Sequence, residues 1–371
     1  MALSIRNLPQ TQRAIVANEQ LDFCIRDDVP LPPIADDCVI IKTECVGLNP
    51  VDTKMIGPFV GVGAVYGIDC SGTVVAMGSS IAASGRIHLG DRVCGACDGM
   101  EALRPQSGAF AEYTSVDGIM ALKMPDNMSF EVGAGMPLRI ATSVMAIFHS
   151  LKLPYEYLVK PATEPFDVLV YGGATSTGTL AIQVLKRMGA RVITTCSPRN
   201  YGLVREYGAD EVFDYHSPTC GQDIRALTRN ALEYALDCIT EESTMKICYQ
   251  AIGRCGGKYV GLEPYPLESA TRRTVSPDWV LATHLRGLPI SWPEPFGTPG
   301  KPECADFKRA IWPYMNPIFE KGELKSHPIR VEPDGFEGLL DGVQLLRKGA
   351  VRGEKLIYRT GERRGEVVKA P

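Results

Sequence analysis

The residues best suited to chemistry lie between 172 and 215. Gly172-Gly173-Ala174-Thr175-Ser176-Thr177-Gly178 follows the apolar run Val168-Leu169-Val170-Tyr171. Aligned as G-x-G-x-x-G, the loop runs from Gly173 to Gly178, with Thr175 where the middle glycine belongs. A loop of this kind, opening a helix behind a strand, binds a pyrophosphate through backbone amides and the partial positive charge of the helix N-terminus. Threonine holds the backbone slightly further from a phosphate, so the hydroxyls of Thr175, Ser176 and Thr177 become the expected contacts. The competing reading is a tight strand-to-helix turn with no ligand. Further on, Cys196-Ser197-Pro198-Arg199-Asn200 closes a second strand without an acid. Asp or Glu there would bind a ribose 2′-hydroxyl, whereas Ser197 and Arg199 suit a 2′-phosphate. Tyr215 ends the next short strand and would cover the adenine side. The pattern favours NADPH over NADH; for Arg199 the competing reading is a solvated loop cation.

A βαβ unit must position these groups, and the sequence contains one. Residues 168–171 read as a buried parallel strand, and 179–188 as a helix apolar at Leu180, Ile182, Val184, Leu185 and Met188. Gly189-Ala190 stops the helix, and 191–196 starts the second strand. Ahead of this unit, strand-like runs at 14–16, 39–46, 71–77 and 92–95 are separated by Pro, Gly and Asp turns. They suggest a small barrel-like domain preceding a Rossmann domain. Residues 125–153 read as a helical region broken near its start by Gly133, Gly135 and Pro137. Residues 288–302 hold five prolines and two glycines and read as an irregular surface loop. Placed near the edge of the Rossmann sheet, they would block strand pairing there and leave a monomer. The tail from Gly361 is expected to fray.

The bulk properties set limits. At 371 residues the chain can form two domains, each with its own core. A net charge of -4 gives no sign of a nucleic-acid surface or a basic membrane patch. No uninterrupted apolar run approaches the roughly 18 residues of a membrane span. Residues 1–15 lack the apolar stretch of a signal peptide, so the twelve scattered cysteines read as reduced thiols of a cytoplasmic protein. Only Cys94-Gly95-Ala96-Cys97 has metal-like spacing, no second pair lies nearby, and no metal is expected. His149, His216 and His284 stand in no Ser/His/Asp arrangement and are read as scaffold.

Several segments in series resemble the medium-chain dehydrogenase/reductase superfamily, in its zinc-free quinone oxidoreductase and enoyl reductase branch. They are Gly47-Leu48-Asn49-Pro50-Val51-Asp52-Thr53-Lys54, Gly67-Ile68-Asp69-Cys70-Ser71-Gly72, Gly90-Asp91-Arg92-Val93, Gly108-Ala109-Phe110-Ala111-Glu112-Tyr113 and the loop at Gly172. Zinc-dependent members carry Gly-His-Glu where this chain has Gly67-Ile68-Asp69. Lys54-Met55-Ile56-Gly57-Pro58-Phe59, Pro137-Leu138-Arg139-Ile140-Ala141-Thr142-Ser143 and Val351-Arg352-Gly353-Glu354-Lys355 bring the resemblance closest to fungal trans-acting enoyl reductases of polyketide biosynthesis. The resemblance implies an α/β chain: a GroES-like β-barrel catalytic domain at 1–160, a doubly wound Rossmann domain at 161–311, and a return to the catalytic domain at 312–371. It also implies a partner, a polyketide synthase or its hybrid with a peptide synthetase, holding the substrate on an acyl carrier.

The same resemblance assigns residues. Pro50, Val51, Asp52, Thr53 and Lys54 would lie under the nicotinamide and ribose, and Leu262, Glu263, Arg352 and Gly353 would close over them. Ala174 to Thr177 would take the pyrophosphate, and Ser197, Pro198, Arg199 and Asn200 with Tyr215 the adenosine phosphate. Arg139, Ile140, Ala141, Thr142, Ser143, Val144, Met145 and Ala146 would line the substrate channel. Thr283, His284, Leu285, Arg286 and Gly287 would form its far wall.

The chemistry follows from the reaction. Reducing an α,β-unsaturated thioester needs a hydride at the β-carbon and an electrophile at the thioester oxygen, where charge develops. Lys54 is the first candidate electrophile and Thr142 the second; the competing readings are a surface lysine and a helix-buried hydroxyl. The α-carbon proton comes from water or from Tyr66. A stand-alone quinone or enone reductase would share the fold and the hydride step and differ in substrate and partner. A cofactor-binding protein without turnover is the third reading.

Overall fold

Runs rich in β-branched residues in the first part of the chain pair into one sheet. In the computed structural model, which describes residues 3–4 and 8–365, Cys38–Gly47 pairs antiparallel with Asp69–Met77, setting Ile41 against Val74 and Val46 against Cys70. The order across this eight-stranded sheet is Ile329–Glu332, Lys355–Arg359, Cys38–Gly47, Asp69–Met77, Arg92–Ala96 and Leu122–Lys123. Leu3–Ser4 joins Asp69–Met77, and Tyr113–Asp117 joins Cys38–Gly47. Thr11–Ala17 and Phe23–Pro30 form a separate hairpin. Residues 38 to 41 are all buried, so both faces of their strand are covered. Lys355–Arg359, near the end of the chain, pairs back onto Cys38–Gly47, with Arg359 opposite Cys45.

The βαβ unit forms as the pattern required. Asp167–Tyr171 and Arg191–Thr195 are parallel neighbours, with Val170 opposite Thr194, and helix Ser176–Arg187 connects them. The full parallel sheet runs Glu211–Phe213, Arg191–Thr195, Asp167–Tyr171, Tyr234–Asp237, Gly257–Gly261 and Val275–Trp279. In chain order that is 3-2-1-4-5-6, the doubly wound arrangement whose strand order reverses beside Asp167–Tyr171. Leu169, Ile193, Ile224, Ala235, Met245 and Tyr259, all fully buried, pack one face of it.

Met1–Leu138 with Thr283–Pro371 makes one compact unit and Arg139–Ala282 the other. Both borders fall before the expected 160/161 and 311/312, and local bonds explain why. Ser150 Oγ donates to Asp278 at 2.7 Å and Lys258 Nζ to the Leu151 carbonyl at 2.9 Å, which ties the end of the first helical region to the Rossmann unit. At the other border, Trp292 Nε1 donates to the Met100 carbonyl at 3.2 Å and Ser291 N to Glu101 at 3.1 Å. The proline-rich segment 288–302 is therefore anchored in the first unit, with Trp292 buried. The edge strands of the Rossmann sheet are Glu211–Phe213 and Val275–Trp279, and the second carries Pro277.

The helical region divides into Phe130–Ala134, Pro137–Val144 and a π-helical stretch, Met145–Ser150. Taken together, Phe130–Ser150 is long and apolar enough to cross a membrane, yet 78% of its apolar window is buried inside the protein, as in a core helix. Of the tail expected to fray, 366–371 lie outside the described residues. Arg364 is paired with Asp334 and Asp341.

Candidate active site

A cavity of about 380 Å³ opens in the Rossmann unit at the C-terminal ends of the strands around the reversal in strand order. Tyr171, Gly172, Ala174 and Thr175 form one side of it, and Cys196, Ser197, Arg199, Asn200 and Tyr215 another. The glycines of the loop are there for close approach. A Cβ on Gly178 would lie 2.4 Å from the Gly172 carbonyl oxygen, and one on Gly173 would lie 2.0 Å from Thr194 Oγ1. Gly172 has φ +77°, a left-handed turn conformation. Thr175 is the helix cap: its Oγ1 accepts from the Gly178 amide at 3.0 Å. Ser176 Oγ is buried with no hydrogen-bond partner. Ser197 Oγ lies 3.1 Å from Tyr215 Oη, and the Tyr215 ring packs against His216 at 4.1 Å between centroids, tilted by 32°. Ser176, Thr177 and Pro198 flank the cavity in sequence but do not line it.

The opposite wall, Ile239, Glu241, Ser243 and Thr244, was missed by sequence reasoning. Asp237, at the end of the fourth strand, holds it. Its Oδ1 accepts from the amides of Ile239 and Thr240, each at 3.0 Å. Its Oδ2 accepts from Thr244 Oγ1 at 2.6 Å and Tyr259 Oη at 2.9 Å. Burial raises the Asp237 pKa, and these donors oppose the shift. An acid ending a buried strand was the available signal. The cavity's one acid, Glu241, thus comes from this loop and not from the end of the second strand. The glycine cradle and the strand-end position fit the pyrophosphate and adenosine of a dinucleotide.

In the first unit, Pro50–Lys54 is a single 3-10 turn. The Asn49 amide donates to Asp52 Oδ2 at 2.7 Å, and Thr53 Oγ1 donates to the Pro50 carbonyl at 2.7 Å. Asp52 is buried, and desolvation pushes its carboxyl up to about 7 against the pull of the Asn49 amide. Lys54 is exposed at the end of the turn. Tyr66 is fully buried, stacked on Phe23 at 4.0 Å, and its hydroxyl donates to the Asp52 carbonyl. Burial raises the Tyr66 phenol well above its ordinary value. That hydroxyl braces the turn.

Behind the turn lies a charged cluster that sequence reasoning also missed. Lys355 Nζ is paired with Asp69 Oδ2 and donates to Asn49 Oδ1 at 2.7 Å. Asn49 Nδ2 donates to Asp69 Oδ2 at 3.1 Å, and the Leu138 amide to Asp69 Oδ1 at 2.7 Å. Lysine and aspartate are 286 positions apart, so no local pattern announces the pair.

The remaining candidates divide. Within 139–146 only Thr142 keeps partial exposure; Ile140, Ala141, Ser143, Val144, Met145 and Ala146 are buried. Arg139, 2% exposed, donates to Thr179 Oγ1 at 3.0 Å and so braces the nucleotide-binding helix. Leu262 N donates to Thr240 Oγ1 at 2.8 Å, and Glu263 follows it, partly exposed. Arg352 and Gly353 are exposed on the turn before Lys355–Arg359. Arg286, expected on the pocket's far wall, points into an acidic cluster instead, 3.2 Å from Asp98 and 3.8 Å from Asp117. Leu285 and His284 beside it are buried; Thr283 and Gly287 are partly exposed.

Among the described residues no group of three or more His, Cys, Asp or Glu side chains could hold a metal ion. At the position where zinc-dependent enzymes have a ligand motif, Asp69 already carries the Lys355 ammonium. Cys94 and Cys97 are buried, and burial pushes both thiols well above their ordinary value. These residues do not fit a zinc ion.

A doubly wound sheet with a dinucleotide cradle, interrupting a mainly antiparallel unit, defines a two-domain nicotinamide-dependent oxidoreductase. Residues 35–126 match the alcohol dehydrogenase GroES-like domain and residues 176–269 the zinc-binding dehydrogenase family. The trans-enoyl reductase buaC of Petromyces alliaceus is 49% identical over 351 residues, 95% of this chain and 98% of that protein. The trans-enoyl reductase eqxC of Fusarium heterosporum is 45% identical over 94% of this chain and 98% of its own length. The crystal structure of CurK enoyl reductase superposes with a TM-score of 0.70 over 95% of this chain and 99% of that one; at 16% identity the likeness is one of fold. The chain belongs to the medium-chain dehydrogenase/reductase superfamily, among the fungal trans-enoyl reductases.

Proposed function

We propose that this enzyme transfers hydride from NADPH to the β-carbon of an α,β-unsaturated polyketide thioester carried by a partner polyketide synthase. The observation that carries the cofactor choice is the cavity wall formed by Ser197, Arg199, Asn200 and Tyr215. No acid stands at the end of that strand, where a 2′-phosphate would meet it. The likeness to trans-enoyl reductases over nearly the whole chain supports the substrate class and the partner.

When bound, the nicotinamide supplies the hydride. The chain's own residues bind, orient and stabilise charge. The 173–178 loop and the N-terminus of helix Ser176–Arg187 hold the pyrophosphate. The Pro50–Lys54 turn, fixed by Asp52 and Tyr66, presents Lys54 to the thioester oxygen, where its ammonium stabilises the charge that develops as hydride adds. Thr142, the one partly exposed side chain of 139–146, is the second donor. Leu262, Glu263, Arg352 and Gly353 flank the nicotinamide. The α-carbon proton comes from water, because the Tyr66 hydroxyl is held by the Asp52 carbonyl. The enzyme works in the cytoplasm as a monomer; Pro277 in the edge strand Val275–Trp279 lacks an N–H to donate to a second sheet.

The test is Lys54→Ser. Losing one such charge-stabilising group costs roughly 10²–10³ in kcat, with NADPH affinity and melting temperature close to wild type. A variant that turns over an enoyl thioester at the wild-type rate would remove Lys54 from the mechanism.

A further inference from the structure

We propose that the buried Lys355–Asp69 ion pair is a positioning device, which fixes Asn49 and through it the Pro50–Lys54 turn. Asp69 is 0% exposed and Lys355 5%. Two of their side-chain bonds converge on Asn49, at the start of that turn, and a third fixes Asp69 itself. Asp69 Oδ2 takes Lys355 Nζ and Asn49 Nδ2, its Oδ1 takes the Leu138 amide, and Lys355 Nζ also reaches Asn49 Oδ1. Asn49 is thereby gripped at both ends of its side-chain amide. Its backbone continues the chain of contacts: its carbonyl accepts from the Asp52 amide at 3.0 Å, and its own amide donates to Asp52 Oδ2. Residue 47 is glycine, and a Cβ there would lie 2.6 Å from the Ala134 carbonyl oxygen and 2.9 Å from Lys355 Cε.

Stability alone is a poor reason for such a pair. Desolvating two charges costs several kcal/mol each, and replacing a buried pair by apolar groups of similar volume is often neutral or stabilising. What apolar groups cannot do is hold an amide side chain in one orientation. Lys355 and Asp69 therefore act through Asn49 on the angle at which the turn presents Lys54. The inference rests on the reading of Pro50–Lys54 as the turn that carries the electrophile.

Four variants test it in the full-length enzyme: Lys355→Met, Asp69→Asn, the two combined, and Lys355→Arg. Melting temperature, NADPH affinity by fluorescence, and kcat with a crotonyl thioester of pantetheine are measured on each. Each single change leaves a buried charge or amide without its partner and lowers both melting temperature and kcat. The double variant has no unpaired charge, so its melting temperature returns toward wild type. Its kcat stays at least tenfold low, because Asn49 has lost its clamp. Lys355→Arg keeps the charge with a different fork geometry; it folds, and its kcat falls at least fivefold. It carries the test should the double variant not fold.

A double variant whose rate recovers along with its melting temperature would overturn the proposal and leave the pair as scaffold. Wild-type rate in Lys355→Arg would do the same. Wild type itself tests the underlying reading. If it failed to reduce the thioester, NADPH affinity in the refolded double variant would still decide: at least fivefold weaker supports positioning of the turn, and wild-type affinity overturns it.

Discussion

The loop glycines allow a prediction in which two changes of equal size have different outcomes. In Gly178→Ala the new Cβ meets backbone on every side: the Gly172 carbonyl oxygen at 2.4 Å, Gly173 Cα at 2.8 Å and Gly173 C at 2.9 Å. Ordinary contact begins at 3.4 Å, so the turn and the helix N-terminus must part by about 1 Å, which is 3.4 minus 2.4. No side chain can yield instead. In Gly173→Ala the obstacles are side-chain atoms, Thr194 Oγ1 at 2.0 Å and Ile182 Cδ1 and Thr194 Cβ at 3.1 Å. Thr194 Oγ1 donates to the Val170 carbonyl at 2.6 Å. Overpacking of this kind costs roughly 1–3 kcal/mol. Adding Thr194→Ala removes the nearest obstacle and gives up one hydrogen bond, about 1 kcal/mol. Gly173→Ala is therefore rescued by Thr194→Ala to within about 1 kcal/mol, with NADPH affinity largely restored. Gly178→Ala has no such partner and weakens NADPH binding at least tenfold, or roughly 1.4 kcal/mol, because the amides of the helix N-terminus no longer meet the phosphates. Fluorescence titration of NADPH and urea unfolding measure the two quantities. Wild-type affinity in Gly178→Ala would refute the cradle.

Other expectations concern single side chains. Ser197→Ala and Arg199→Ala each weaken NADPH roughly tenfold, as expected for a lost charge-assisted bond, and leave NADH unchanged; equal losses for both cofactors would remove the 2′-phosphate site. Folded Asp52 keeps its proton to about pH 7, whereas the unfolded side chain loses it near 3.8. Between those values the folded state binds more protons, so stability falls as pH rises, by up to about 4 kcal/mol. Asp52→Asn flattens that slope, and urea midpoints across the interval would reveal an unaltered slope if burial were not its cause. Lys308→Met removes the nearer of the two cations on buried Asp117 and leaves Arg286 at 3.8 Å; it costs up to about 3 kcal/mol with NADPH affinity unaltered, read by urea unfolding and fluorescence titration.

The nucleotide half of the enzyme was legible because its signals are local. An apolar strand, a glycine turn, a helix with a buried face and a second strand occupy consecutive positions, and the cavity forms where they meet. Its second wall was not read, because Asp237 organises 239–244 through amide hydrogen bonds that leave no periodic trace. The GroES-like half was legible as strands and as the Pro50–Lys54 turn. Its supports were not, since Lys355 reaches Asp69 only after the chain has returned to pair with Cys38–Gly47. Arg139 and Arg286 show the opposite error. Both are charged and sit in candidate site segments, yet Arg139 braces Thr179 and Arg286 neutralises Asp98 and Asp117. A sequence shows where a cation is but not which way it faces.

Reduction of an enoyl thioester by this oxidoreductase is open to a direct assay. Purified enzyme is mixed with NADPH and either a crotonyl thioester of pantetheine or a simple quinone, and the loss of reduced nicotinamide absorbance is followed. Turnover of the thioester is expected, with the quinone little above background. Quinone turnover with an inert thioester would contradict it and point to a stand-alone quinone reductase.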